Sequence, residues 1–207
     1  MRISTGSGTI NAFLKGYNTN EITLIYGEPS TGKTTLGLLA TIAQAKNNKK
    51  VIYIDTEKGF SIERWKQLNK TQDYLKNVLI LRPQNFEEQH KVINNLPTKN
   101  IALIIIDTLG HFYRIALKEN YKEANKKVDQ QLQSLKEITQ KNVPVILINQ
   151  VYDNYEKGIT PVGGSMIKNW CQTIIKLEKE PRKIIREKKE KKEALFEIKN
   201  ETIEIRV

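Results

Sequence analysis

The sequence predicts an α/β fold in which a mostly parallel central sheet is flanked by helices and extended by antiparallel strands at its C-terminal end. Strand-like and helix-like patterns alternate over most of the 207 residues, which favours βαβ units. The runs 101–106 and 143–148 are almost uniformly apolar, as expected of strands covered on both faces. Residues 173–206 instead hold short strand-like runs separated by turns, a pattern typical of an antiparallel meander.

Local patterns place the elements along the chain. We predict parallel strands at 21–26, 51–54, 78–81, 101–106 and 143–148. We predict helices at 35–43, 61–69, 85–96 and 124–140. The antiparallel strands are expected at 173–179, 183–186, 194–199 and 202–206. Trp65 should lie on the buried side of its helix, and Asn85 with Glu88 resembles a capping box.

Composition and charge limit the class of protein. A chain of this length fits one α/β domain, and we expect residues 1–207 to form it. No apolar run reaches the length of a membrane span, and the N-terminus lacks a secretion signal, so we expect a cytoplasmic protein. The excess of 34 Lys and Arg over 23 Asp and Glu gives a formal charge of +11. This charge favours a polyanionic partner, although a lysine-rich proteome explains it equally well.

Cysteine and histidine are too few for a disulfide framework or a zinc site. Cys171 is the single cysteine, and His90 and His111 are distant from each other in sequence. The positions of these three residues do not match the spacing of Cys and His ligands around zinc. We interpret all three as core or surface residues.

Residues 27–34 read G-x-x-x-x-G-K-T between a predicted strand and a predicted helix. The two glycines let successive backbone N–H groups turn toward a phosphate chain at the positive end of the helix. Lys33 would reach the β- and γ-phosphates, and Thr34 would offer its hydroxyl to Mg²⁺. The motif predicts a site for ATP and Mg²⁺ formed by Gly27, Glu28, Pro29, Ser30, Thr31, Gly32, Lys33, Thr34 and Thr35.

Three polar residues follow predicted strands, where the ligands of a parallel sheet bind. Asp107 is the expected Walker B carboxylate, which would serve Mg²⁺ together with Thr34. Glu57 is the candidate to orient and deprotonate water, with a solvated glutamate as the alternative. The Gln150 amide could hydrogen-bond the γ-phosphate. Our catalytic candidates are therefore Glu57, Lys33 and Gln150.

Two segments are candidates for contact with DNA. Segment 118–127 is rich in lysine, and segment 152–157 places tyrosines beside charged residues, a pattern suited to stacking on bases. The candidate residues are Lys118, Lys122, Lys126, Lys127, Tyr152, Tyr155 and Lys157. Solvated loops are the alternative, and the basic run 176–192 is as consistent with a solvated hairpin as with a phosphate track.

These pieces together resemble a recombinase of the RecA/RadA superfamily. Residues 53–64 are similar to the IDTE-G-F-ER segment of archaeal and eukaryotic recombinases. Residues 105–114 resemble the Walker B segment, with Thr108 where Ser is usual. Residues 147–151 and 161–164 resemble the two ends of the second DNA-binding loop, and residues 4–16 resemble the lead-in to the P-loop, with Asn11 where Asp is usual.

The resemblance implies a RecA-like P-loop NTPase core. It implies that residues 27–34 bind phosphates, that Thr34 and Asp107 serve Mg²⁺, that Glu57 is the catalytic glutamate and that Gln150 senses the γ-phosphate. The helix-hairpin-helix domain and polymerisation linker of RadA have no counterpart in this sequence, so the chain is most similar to short, basic archaeal paralogues. We therefore expect a monomer or a dimer rather than a long filament.

For such paralogues the resemblance implies slow ATP hydrolysis, DNA binding without strand exchange, and a supporting role beside a RadA-type recombinase. Single-stranded or branched DNA is the expected nucleic acid. A non-DNA ATP switch of the KaiC type is the alternative, because it shares the fold and the P-loop. A small-molecule kinase is a weaker alternative, since no arginine-bearing lid or acceptor pocket is evident.

Overall fold

The computed structural model describes residues 1–69, 72–154 and 158–206. Its elements in chain order are β1 (Arg2–Ile3), α1 (Gly8–Leu14), β2 (Tyr17–Asn18), β3 (Ile22–Gly27), α2 (Lys33–Ala45), β4 (Lys50–Asp55), α3 (Ile62–Leu68), a 3-10 helix (Gln72–Asn77), β5 (Val78–Leu81), α4 (Phe86–Asn94), β6 (Ile101–Asp107), α5 (Gly110–Glu119), α6 (Tyr121–Gln140), β7 (Val145–Asn149), β8 (Val151–Asn154), β9 (Gly158–Pro161), α7 (Gly164–Trp170), β10 (Thr173–Lys179), β11 (Arg182–Arg186), β12 (Lys192–Ile198) and β13 (Ile203–Ile205).

The described residues form a nine-stranded sheet with the order β13-β12-β11-β10-β3-β7-β6-β4-β5. The strands from β10 to β5 in this order run parallel to one another. Strands β11, β12 and β13 continue the sheet in antiparallel pairs. The predicted fold class is confirmed, because a parallel core and an antiparallel C-terminal extension share one sheet. The strands of this sheet come from residues between Ile22 and Ile205.

Both faces of the sheet are covered, which explains the uniformly apolar strands. In β6, Ile105 points into the core cluster on the side of α2, where it joins Leu36. Its neighbour Ile104 points into the opposite cluster, where it joins Leu132 of α6. All four of these residues are at most 1% exposed. Side chains alternate between faces along a strand, so a central strand with two covers must be apolar at every position.

The predicted helices are present, with small differences at their ends. Trp65 is 2% exposed, as predicted. The Asn85 side chain accepts a hydrogen bond from the Glu88 amide at 2.9 Å and so caps α4. We predicted that the long helix begins at Ala124, but it begins at Tyr121, because the Asn120 side chain accepts a hydrogen bond from the Glu123 amide.

Several short elements were not predicted. They are helices α1, α5 and α7, the strand pair β1–β2 and the hairpin β8–β9. Helices α1 and α7 and the two strand pairs are too short for their periodicity to be recognised without the neighbour against which they pack. Helix α5 directly follows the Walker B strand, in a segment that we interpreted only as part of that motif. No helix in the described parts of the chain combines the length and apolar character needed to cross a membrane.

Cys171 is fully buried, and its thiol donates to the Ile167 carbonyl.

Candidate functional site

The loop between β3 and α2 is tightly enclosed by the C-terminal strands. A Cβ atom on Gly27 would lie 2.3 Å from the Leu177 carbonyl oxygen. Gly32 has a φ of +100°, which favours glycine, and a Cβ there would lie 2.9 Å from Ile198 Cδ1. The Thr31 hydroxyl closes the loop by donating to the Glu28 carbonyl at 2.9 Å. The loop therefore wraps the N-terminus of α2, the positive end of the helix dipole.

Lys33 is the first residue of α2 and is folded back over the loop. It is 9% exposed, and its Nζ donates to the Glu28 carbonyl at 2.7 Å. Burial lowers the pKa of Lys33, while the negative charges of Asp107, Glu57 and Glu28 oppose that shift. A cation thus lies at the mouth of a loop of backbone amides, an arrangement that suits a bound anion.

Asp107 ends β6 beside the start of α2. Its Oδ2 accepts hydrogen bonds from the Thr34 hydroxyl at 2.8 Å and the Tyr53 hydroxyl at 2.7 Å. Burial raises the pKa of Asp107 to about 6. Both hydrogen bonds lower that pKa, and the charges of Glu57 and Asp55 raise it further. A hydroxyl and a carboxylate meet here, and such hard oxygen atoms are the ligands that Mg²⁺ prefers.

Glu57 lies just after β4 and faces the ends of β6 and β7. Its Oε1 accepts hydrogen bonds from the Thr108 hydroxyl at 2.7 Å and from Gln150 Nε2 at 2.8 Å. His111 Nδ1 lies 3.9 Å from the same oxygen. The structure therefore brings together two catalytic candidates, Glu57 and Gln150, that are far apart in sequence.

The turn that carries Glu57 is held by Asp55. The two carboxylate oxygens of Asp55 accept from the Gly59 amide at 2.8 Å and the Phe60 amide at 3.2 Å. Arg82 at the end of β5 adds an ion pair at 3.1 Å. Sequence reasoning overlooked this role of Asp55, although a carboxylate followed by a glycine four residues later is a signal of such a turn.

A cleft of about 650 Å³ lies between α5, α6, the β8–β9 hairpin and α7. Tyr152 of the hairpin lines it, together with Arg114 and Tyr121. Tyr121, the first residue of α6, was not among the residues that we predicted for nucleic-acid contact. Lys168 lines the cleft and pairs with Glu187 at 2.8 Å.

The four lysines predicted for DNA contact do not line this cleft. Lys118 lies on α5, and Lys122, Lys126 and Lys127 lie on α6 rather than on loops. The first three are exposed and have no ion-pair partner in the described chain, whereas Lys127 contacts Glu87 and Glu123. The outer face of an amphipathic helix such as α6 is normally polar. The exposed lysines on it are therefore explained without the cleft. Tyr155 and Lys157 lie outside the described residues.

Comparison with known proteins identifies the family. The sequence model described as Rad51 matches residues 1–204. This chain belongs to the Rad51 family. The resemblance to RecA/RadA recombinases is thereby confirmed, and Rad51 family members are recombination ATPases, which supports a role in DNA repair and recombination.

Relatives of this Rad51 family chain carry the name DNA repair and recombination protein RadB. One from Methanococcus maripaludis (strain C7) is 41% identical over 165 residues, which cover 76% of each chain. One from Methanocaldococcus jannaschii is 38% identical, covering 76% of this chain and 78% of the relative. A solved structure, the crystal structure of the RadB recombinase, superimposes with a TM-score of 0.80 at 32% identity and covers 98% of both chains.

Proposed function

We propose that this chain is an accessory ATPase of homologous recombination and repair that binds ATP with Mg²⁺, binds DNA, hydrolyses ATP slowly and carries out no strand exchange of its own. The observation that carries the proposal is the contact of Thr34 with Asp107 at 2.8 Å beside buried Lys33. Lys33 and Thr34 begin α2 and Asp107 ends β6, and together they create one polar site. The Rad51 family match favours this function over a KaiC-type switch.

The residues of the loop fit a magnesium nucleotide. The backbone amides of residues 27–34, except that of Pro29, and the N-terminus of α2 supply donors for phosphate oxygens, and Lys33 supplies a cation. Thr34 and Asp107 supply the oxygen atoms that would hold Mg²⁺. A magnesium nucleotide bound there supplies a phosphoryl group for transfer to water. The enclosed glycines support this assignment, since side chains at Gly27 or Gly32 would collide with the neighbouring strands.

Glu57 is our candidate for the general base, the group that takes a proton from the attacking water. Its Oε1 is already engaged by Thr108 and Gln150. Two hydrogen bonds therefore occupy this oxygen. The hydrogen bond from Gln150 to Glu57 must break before Gln150 can engage a γ-phosphate. This supports slow hydrolysis that depends on a rearrangement of Gln150.

The cleft beside the β8–β9 hairpin is our candidate for contact with single-stranded or branched DNA. Tyr152 and Tyr121 are both exposed and offer faces on which bases can stack. Arg114 is exposed at its edge and adds a positive charge for a phosphate. Lys118, Lys122 and Lys126 offer further positive charge on α5 and α6, outside the cleft lining. A RadA-type recombinase is the candidate protein partner, with this chain acting as a monomer or dimer.

The decisive experiment is a titration of fluorescent single-stranded, double-stranded and branched DNA with and without ATP, at about 50 and 200 mM salt. Counterion release predicts a steep loss of affinity at the higher salt. Retention of DNA only at low salt, together with nucleotide binding that requires Lys33, would support the proposal. No DNA retention even at low salt, combined with ATP-dependent assembly with another protein, would favour the KaiC-type switch instead.

A further inference from the structure

His111 lies beside the candidate general base with an unused donor. It is the second residue of α5, and its Nδ1 lies 3.9 Å from Glu57 Oε1, too far for a direct hydrogen bond. That nitrogen is shielded from solvent and makes no hydrogen bond with any residue in 1–69, 72–154 or 158–206. Buried polar atoms without partners are unfavourable. A small movement of the Glu57 carboxylate would give His111 Nδ1 an acceptor.

The position of His111 is fixed by close packing of the first turn of α5. A Cβ on Gly110 would lie 2.3 Å from Asn149 Oδ1, so only glycine lets α5 approach the end of β7 this closely. The Leu109 amide donates to the Ile148 carbonyl at 3.2 Å. The Phe112 ring meets the imidazole edge-on, with a centroid distance of 4.7 Å. His111 is thus held next to the end of β7, the strand that Gln150 follows.

The hydrogen bonds on Glu57 leave His111 without a role in the present arrangement. Oε1 accepts from Thr108 and from Gln150, and a carboxylate oxygen offers two lone pairs. His111 is the next donor near that oxygen. If Gln150 turns toward a phosphate, one lone pair becomes free, and the carboxylate then has a single remaining anchor at Thr108.

We propose that His111 is a positioning residue, which donates from Nδ1 to Glu57 Oε1 when Gln150 releases it. The neutral imidazole is sufficient, in the tautomer that carries its proton on Nδ1. Glu57 thereby keeps its orientation, and its Oε2 remains available to accept a proton from water. This inference rests on the proposed function, in which Glu57 serves hydrolysis and Gln150 responds to the nucleotide.

The kinetic test uses two substitutions of His111. His111→Phe keeps an aromatic ring but removes the nitrogen, whereas His111→Asn places an amide near the position of Nδ1. We expect His111→Phe to lower kcat about tenfold, as the loss of one hydrogen bond to a charged group would. KM for ATP should change less than about twofold, and His111→Asn should recover most of kcat. A purely structural role would affect both variants and KM alike.

The second test needs no nucleotide and measures thermal unfolding. The proteins are wild type, His111→Phe, Gln150→Ala and the double variant. In wild type, Gln150 occupies the acceptor, so His111→Phe should shift Tm little. In Gln150→Ala, His111 should donate to Glu57 Oε1 in place of Gln150. Adding His111→Phe should then lower Tm by about 3 °C beyond the sum of the single effects. His90→Phe is the matched control, because His90 lies on α4 beside Asn94 and should add independently.

The outcomes separate this inference from the proposed function. If the protein binds no ATP, the proposed function fails, and the Tm cycle alone decides the role of His111. Additive Tm shifts overturn the inference. A wild-type kcat in His111→Phe also overturns it, provided that Glu57→Gln stops hydrolysis in the same assay. If His111→Phe does not fold, His111→Leu, which also lacks the nitrogen, takes its place in both tests.

Discussion

The Thr34 hydroxyl donates a hydrogen bond to Asp107 Oδ2 at 2.8 Å, although the two residues are on different elements and far apart in sequence. The contact joins the first turn of α2 to the end of β6. Because β3 and β6 are parallel and both lie next to β7, their carboxyl ends meet at one edge of the sheet. This geometry places a hydroxyl, a carboxylate and Lys33 within one site.

Removal of the Lys33 ammonium should abolish tight nucleotide binding. Lys33→Ala deletes the buried cation of the loop, and we expect ATP affinity to fall by at least about 100-fold. Fluorescent nucleotide titration measures this. Lys46→Ala is the control, because Lys46 is an exposed residue at the other end of α2. Equal affinity in the two variants would contradict the assignment of the loop.

Asp107 should make the nucleotide-free protein less stable as pH rises. Burial raises its pKa from 3.8 to about 6, so between those values the folded state binds more protons than the unfolded state. The free energy of unfolding must therefore fall as pH rises through this window. Above pH 6 the penalty should be on the order of 3 kcal/mol.

Asp107→Asn tests this because asparagine does not ionise. Urea unfolding in the presence of EDTA should show the variant to be more stable than wild type at pH 7, with the difference shrinking toward pH 4. A difference independent of pH would show that Asp107 does not titrate in this range.

The Glu57 carboxylate should serve hydrolysis and not nucleotide binding. Glu57→Gln keeps the size and the contacts with Thr108 and Gln150 but removes the base, so kcat should fall about 10²- to 10⁴-fold. ATP affinity should remain within about twofold. Glu63→Gln, at an exposed carboxylate in the first turn of α3, should leave both quantities unchanged. Hydrolysis that survives in Glu57→Gln would require a different base.

Lysines on α6 should differ in their contribution to DNA binding. Lys122 is exposed and has no ion-pair partner in the described chain, whereas Lys127 already contacts Glu87 and Glu123. Lys122→Ala should weaken DNA binding about equally for all sequences and lower the salt slope by about 0.9. Lys127→Ala should have a smaller effect. The reverse order in filter binding at several salt concentrations would place DNA elsewhere on the surface.

The sequence alone determined the class of fold, and it predicted the phosphate chemistry of the loop 27–34. Alternation of apolar strands with amphipathic helices depends on local periodicity, so the parallel strands and the long helices could be read directly. The spacing of residues 27–34 is likewise local, because the loop, its glycines and Lys33 are adjacent in the chain. Asp107 was recognisable as a polar residue that ends a buried strand.

Only the tertiary structure showed that Thr108 and Gln150, which are distant in sequence, donate to the same oxygen of Glu57. The sequence suggested Glu57 and Gln150 separately, but strand order places both beside Thr108 and His111. The same packing separates the lysines of α6 from the cleft that contains Tyr152. Such contacts depend on the order of strands in the sheet and on the close approach of α5 at Gly110. Both are set by packing between segments remote in the chain, which no local pattern records.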